Sequence, residues 1–250
     1  MSRVLLITGA TGIAEATALA ASAQGDAVFV VSRTEETCRD LCKLLRNADY
    51  RVCDLREERD VEAAFDACLS KFRAVDAVFN VAGISGRKFG DGPLHQCSAE
   101  GWDITFDTNV RGMFLMCRAA LRYWLDARLP GTILNMSSVL AFSPEPRYFA
   151  THAYAASKGA IISMSRAMAA YYAPHKIRVN VIAPALVRTP MSARAQSDEA
   201  LLDFIAHKQP LSAGMLDAAD IAGTALFLLG DQSRHMTGQV VSVDGGWTVS

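Results

Sequence analysis

The sequence has no run of like charge, no cysteine pair in a CxxC arrangement and no apolar stretch of the ~18 residues needed to span a bilayer. Each absence removes a class of function. Without a concentrated basic face, a nucleic-acid or anionic-membrane partner is disfavoured, and a formal net charge of -1 from 25 basic and 26 acidic residues agrees. The cysteines, Cys38, Cys42, Cys53, Cys68, Cys97 and Cys117, are scattered and do not cluster with histidine. They read as small semi-buried apolar side chains, and no metal site is expected. Scattered thiols fit a reducing compartment, and the first apolar run feeds a glycine turn rather than a cleavage site. A soluble, cytoplasmic protein is expected. Linkers, repeats and low-complexity segments are also missing, so residues 1–250 read as one domain.

What is present is an alternation. Apolar runs rich in β-branched residues recur as "VLLIT" (4–8), "AVFVVS" (27–32), "DYRVC" (49–53), "AVDAVFNVA" (74–82), "GTILNMS" (131–137), "IRVNVIA" (177–183) and "QVVSVD" (239–244). Their hydrophobicity is nearly continuous, as expected for strands covered on both faces of a parallel sheet. Helical patterns lie between them at 12–24, 34–46, 57–72, 101–126, 153–173 and 217–229, with Ser32 ahead of Glu35 and Asp217 ahead of Asp220 as caps. Strand alternating with helix predicts a doubly wound α/β domain. Two irregular stretches, 83–98 and 184–216, leave carboxyl ends of strands, the edge where such sheets bind ligands. The second is long enough to be a lid, centred on 186–216.

After the first strand come Gly9, Gly12 and a helix, the context of a phosphate-cradling loop. Gly9 supplies a tight turn, and Gly12 lets the backbone approach a diphosphate at the helix N-terminus. Such loops carry a third glycine for close helix packing; here Ala14 or Glu15 stands in its place. One added methyl is a modest demand, and the loop reads as altered but competent.

The ordered motifs "TGATGIA" (8–14), "CDL" (53–55), "NVAG" (80–83), "NVRGMF" (109–114), "NMSSV" (135–139), "YAASK" (154–158), "RVNVIAPALVRTPM" (178–191) and "TGQVVSVDGGW" (237–247) resemble those of the short-chain dehydrogenase/reductase family over essentially the whole chain. The resemblance implies a Rossmann-like domain whose seven-stranded sheet has the order 3-2-1-4-5-6-7, with helices on both faces. Three departures stand out: the glycine loop is one residue short, a third glycine with longer-member spacing would fall at Glu15, and Pro184-Ala185 replaces a proline–glycine pair.

Tyr154 and Lys158 are four apart in a helical stretch and share a face, although in isolation such a pair is more often an ordinary surface pair. A phenol with a pKa of ~10 needs a neighbouring ammonium to become a catalyst at neutral pH. The resemblance assigns Tyr154 as general acid/base, Lys158 as pKa modifier and ribose ligand, Ser138 as substrate anchor and Asn109 as support for a proton relay to Lys158. Ser138 is chosen over Ser137 because it precedes the small apolar pair Val139-Leu140. Arg147, Tyr148, Phe149 and His152 are expected at the pocket mouth.

For the coenzyme, the resemblance implies contacts from Gly9, Thr11, Gly12 and Ile13 in the loop, from Asp54 and Leu55, and from Asn80, Ala82 and Gly83. Tyr154, Lys158, Pro184, Val187 and Thr189 complete the set. The second strand ends "VVSRTEE", which puts Ser32 and Arg33 where an NAD-specific fold carries an acid. Arg33 can pair with a 2′-phosphate, so NADP(H) is expected with NAD(H) as the alternative. The competing reading makes Arg33 a surface partner of Glu36, and Asp54 can equally cap the next helix.

The expected function is NADP(H)-dependent interconversion of a secondary alcohol and a ketone on a small-molecule substrate. The alternative is a dinucleotide-binding sensor or scaffold without useful catalysis. Met191, Phe204, Met215 and Leu216 suggest an apolar pocket, though they can equally pack a lid on the body. The helices at 101–126 and 153–173 and the "DGGW" tail resemble family surfaces that form tetramers, so a homotetramer or homodimer is expected, burying Met113, Leu115 and Met116.

Overall fold

Continuous apolar runs become buried strands because helices cover them from both sides. The computed structural model describes residues 3–250, so Met1 and Ser2 of the expected 1–250 domain lie outside the described residues. The strands are β1 (Val4–Thr8), β2 (Ala27–Ser32), β3 (Ala48–Val52), β4 (Ala77–Asn80), β5 (Gly131–Met136), β6 (Ile177–Pro184), β7 (Val187–Arg188), β8 (Leu216–Asp217) and β9 (Val240–Val243). Seven of them form a parallel sheet in the order β3-β2-β1-β4-β5-β6-β9, while β7 and β8 make a separate two-stranded ribbon. The expected order holds, with the seventh sheet strand ninth in the chain.

The helices are α1 (Ile13–Ala23), α2 (Glu35–Leu44), α3 (Glu58–Phe72), α4 (Ala99–Phe106), α5 (Gly112–Ala127), α6 (His152–Tyr172), α7 (Ala193–Gln196), α8 (Glu199–Lys208) and α9 (Ala218–Leu229). Successive strand residues point to opposite faces. Leu6, Phe29, Val78, Ile133 and Val179 pack with α3, α5 and α6, whereas Leu5, Ile7, Val28, Phe79 and Ile182 pack with α1, α2 and α9. Each such side chain stabilises the fold by about 1.5–3 kcal/mol when fully buried. A third cluster, including Val139, Leu201, Ile205, Met215 and Trp247, fastens α7 and α8 to the body. None of the described helices is long and apolar enough to cross a membrane.

Several local expectations are corrected. Thr34, in extended backbone, is the N-cap of α2, so Ser32 is not. Asp217 and Asp220 do form a capping box at α9, with the Asp217 amide donating to Asp220 Oδ2 at 2.8 Å. The helix expected at 101–126 is α4 and α5 joined by a π-helical turn, Asp107–Arg111. Met113, Leu115 and Met116 are buried in the chain's own core, and Trp247 is buried beneath the third cluster, so none offers an apolar face to a partner.

Candidate active site

The strand order reverses between β1 and β4, and the loops leaving those strands open a crevice at the sheet's carboxyl edge. Thr8 sets its width: its hydroxyl accepts from the Val81 amide at 3.0 Å, and its carbonyl accepts from the Ala82 amide at 3.1 Å. Gly9 turns away with φ 98°. A Cβ at Gly9 would lie 3.3 Å from that of Ala14, which is wholly buried. The missing third glycine is therefore accommodated because Gly9 leaves room for the Ala14 methyl. At Gly12 a Cβ would come within 2.9 Å of Thr189 Cγ2, so this glycine lets the segment after β6 lean on the loop. Ala185, replacing the family's glycine, is not among the residues with positive φ, so its side chain imposes no backbone strain.

Tyr154 and Lys158 sit on the first turns of α6. That helix start is held by Asp91, a buried carboxylate from the 83–98 stretch that accepts from the Ala153 and Tyr154 amides, each at 2.9 Å. Charge-assisted bonds of this kind at a helix N-terminus are among the stronger ones. Asp91→Ala is expected to cost about 2 kcal/mol of stability and to lower turnover by displacing Tyr154; urea denaturation and steady-state kinetics check both effects.

Tyr154 is half-buried. Burial pushes its phenol up, and hydrogen bonding from Ser138 pulls weakly the other way. The Lys158 ammonium lies over the ring face, 5.5 Å from its centroid. Lys158 Nζ donates instead to the Met136 carbonyl at 3.0 Å, and burial pulls its pKa down to about 8. Ser138 Oγ accepts from the Leu140 amide at 3.2 Å, while Ser137 Oγ is spent on the Lys158 carbonyl at 2.8 Å. That contrast separates the two serines: Ser138 faces the phenol and Ser137 anchors α6.

Asn109 occupies the π-helical turn, a feature that recurs at functional sites. Its Oδ1 accepts from the Ile84 amide at 2.8 Å and its Nδ2 donates to the Ile84 carbonyl and Ser157 Oγ, each at 3.0 Å. A Cβ on Gly83 would be 2.9 Å from Asn109 Oδ1, so glycine leaves room for the Asn109 side chain here, with Lys158 Nζ 3.5 Å away.

Ser138, Tyr154 and Lys158 border one cleft of about 620 Å³. It is lined by Gly9, Thr11, Ile13, Ser32, Arg33, Asp54, Leu55, Ala82, Gly83, Ser138, Tyr154, Lys158, Pro184, Val187 and Thr189. Gly12, Asn80 and Asn109 do not line it. Asn80 turns its amide into the core, donating to Asn135 Oδ1 at 2.9 Å. At the mouth, Phe149 lines the cleft but His152 lies outside, its Nδ1 accepting from the Leu94 amide at 3.0 Å. Met191 also faces the cleft, whereas Phe204 packs between Tyr148 and Trp247 and Met215 is buried.

At the far end, Arg33 is exposed and forms no ion pair with Glu36 among the described residues. Asp54 is not a helix cap; Glu57 occupies that position. The Asp54 carboxylate is gripped by Arg56 at 2.5 Å, which holds it below the usual carboxylate range. Arg56, unmarked by any motif, also lines this end of the cleft, with its charge paired to Asp54. Gln209 was equally silent in sequence: wholly buried, it accepts from the Leu186 amide at 2.8 Å and donates to the Gly214 carbonyl at 3.0 Å.

The glycine cradle, a cationic far end and a polar pair deep in the cleft together suit an elongated, phosphate-bearing dinucleotide. Comparisons with known proteins agree. A family model described as Enoyl-(Acyl carrier protein) reductase matches residues 8–248. A 2-(R)-hydroxypropyl-CoM dehydrogenase from Xanthobacter autotrophicus is 34% identical over 99% of this chain and 99% of its own length. The solved 3-ketoacyl-(acyl-carrier-protein) reductase from Brucella melitensis, complexed with NADH, has a TM-score of 0.87 and 31% identity over 99% of this chain and 98% of that one. An actinorhodin polyketide ketoreductase variant with NADPH has a TM-score of 0.90 and 29% identity, covering 100% of this chain and 98% of that one. With a family model and a relative both spanning nearly its full length, the chain belongs to the short-chain dehydrogenase/reductase family of oxidoreductases.

Proposed function

We infer that the protein interconverts a secondary alcohol and a ketone with NADP(H), using Tyr154 as the group that moves the proton. The observation that carries this reading is the convergence of Ser138, Tyr154 and Lys158 on one cleft with the glycine cradle at its other wall. When bound, the dinucleotide supplies or accepts the hydride. Gly9, Thr11 and Ile13 would hold its diphosphate at the start of α1, and Val187 and Thr189 would orient the carboxamide.

The remaining chemistry belongs to the chain. Ser138 Oγ donates to the substrate oxygen and fixes it beside the Tyr154 hydroxyl. Because burial keeps the phenol protonated at neutral pH, Tyr154 donates in the direction of carbonyl reduction. Lys158, at about 8, retains most of its charge near neutrality and offsets negative charge developing on the tyrosine oxygen. Asn109 holds the strand end beside Lys158 through Ile84, where a water-linked relay would pass. The segment 186–216 acts as a lid, with Gln209 tying its two ends together through Leu186 and Gly214.

Preference for the 2′-phosphate rests on Arg33, exposed at the end of β2 where it lines the cleft with Arg56 and Asp54. Arg33→Ala is expected to lower NADPH affinity relative to NADH by about tenfold, the scale of one charge-assisted hydrogen bond. Fluorescence titration of both coenzymes reads this directly; an unchanged ratio refutes the assignment. For the reaction itself, a carbonyl panel is scored by NADPH consumption. Tight NADPH binding with no consumption on any member would instead favour a dinucleotide-responsive sensor.

A further inference from the structure

The cleft has a polar rim that proton and hydride transfer do not use. Arg87 and Lys88 reach it from the short 3-10 turn Arg87–Phe89 after β4, and Arg194 reaches it from α7 in the lid. The two arginines converge on a single acceptor. Arg87 Nη2 donates to the Tyr148 carbonyl at 2.6 Å, and Arg194 Nη2 donates to the same oxygen at 3.2 Å. One carbonyl cannot neutralise two cations, and each guanidinium carries five N–H donors. Burial and the charge of Arg194 both hold Arg87 below its ordinary value, with only Asp91 opposing.

Neighbouring carboxylates are committed elsewhere. Asp91 is spent on the α6 amides, and Glu145 accepts from the Arg147 amide at 2.9 Å and the Tyr148 amide at 2.7 Å. Among the described residues, ion pairs form at eight sites, and none includes Arg87, Lys88 or Arg194. The same cleft is lined by the apolar side chains of Leu140, Phe149 and Met191. The cleft thus combines apolar side chains with three cations that form no ion pair among the described residues, a pattern that selects a molecule carrying both features.

We propose that Arg87 and Arg194, supported by Lys88, bind an anionic head group on the substrate: a carboxylate, sulfonate or phosphate borne by the same molecule as the reacting carbonyl or alcohol. This rests on the oxidoreductase reading above and specifies its substrate class. Because the two arginines come from different segments, a bound anion would tie the lid segment to the 83–98 stretch. Arginine suits this role better than lysine, since its planar fork matches an oxyanion with two hydrogen bonds.

The test compares levulinate with methyl levulinate, and then the sulfonate and phosphate analogues of the same chain length, in wild type and in Arg87→Gln/Arg194→Gln. Wild type should favour an anion over the neutral ester by about 10- to 100-fold in kcat/KM, and the ratio should fall towards one in the double variant. The anion with the largest ratio identifies the head group. Equal use of ester and anions by wild type, or an equal loss on both in the variant, overturns the proposal. So does a matching loss of NADPH affinity, which would assign the arginines to the dinucleotide. Calorimetric binding of valerate to the NADP-loaded protein separates this proposal from the parent one. Valerate binding that disappears in the double variant supports the anion site even if no ketone turns over, and valerate binding that is absent from wild type or persists in the variant refutes it.

Discussion

Lys158→Met is expected to make the protein more stable while removing most of its activity. Lys158 is only 3% exposed, and its ammonium donates to a neutral carbonyl, that of Met136. Burial brings its pKa from 10.5 to about 8. Between those two values the unfolded chain binds a proton that the folded chain does not, so stability rises with pH across that window. Below about pH 8 both states are protonated, and the fold bears the whole cost of a buried charge. At 1.36 kcal/mol per pKa unit, relieving it is worth about 1–3 kcal/mol after loss of the bond to Met136. Methionine fills similar space without charge. Urea denaturation near pH 6.5 should show the variant to be more stable, with the advantage vanishing by about pH 10.5. Turnover should fall by at least ~10²-fold over the same comparison. A variant less stable at both pH values would mean that the ammonium is a structural element and not a functional burden.

Tyr154→Phe isolates the hydroxyl. The ring that lies under Lys158 remains, so packing is preserved and one oxygen is lost. Since burial keeps the phenol protonated, the variant lacks the proton donor for carbonyl reduction, and Ser138 alone cannot replace it. Turnover should drop by at least ~10²-fold, with thermal stability within about 1 kcal/mol of wild type. Matched kinetics and denaturation on one preparation separate chemistry from folding: near-normal turnover would remove Tyr154 from the reaction.

The fold was legible because its strongest signals are local. Runs such as "VLLIT" and "AVFVVS" announce strands covered on both faces, and the glycines after β1 announce where the crevice opens. What escaped depends on contacts between distant segments. Asp91 grips a helix start 62 residues away in sequence, with no periodic pattern to betray it. Arg56 lies two residues from the carboxylate it neutralises, but nothing in "DLRE" distinguishes an intrasite ion pair from a solvated surface. Met113, Leu115 and Met116 looked like an interface because apolar residues occupy nearly every side of that helix stretch. The sheet and α3 claim them. The π-helical turn that holds Asn109 has no propensity signature, since it arises from an insertion into helical geometry and not from residue type. The chemistry of Tyr154 and Lys158 was visible as spacing, yet the upward shift of the phenol was not, because its burial depends on segments distant in sequence.

The most direct measurement uses NADPH carrying deuterium on the nicotinamide C4, incubated with the protein and a carbonyl panel that includes levulinate. Product analysis by mass spectrometry should locate one deuterium on the newly formed carbinol carbon, with Tyr154→Phe losing that product in proportion to its turnover. Coenzyme that binds tightly, with every carbonyl recovered unlabelled and unreduced, would contradict the account.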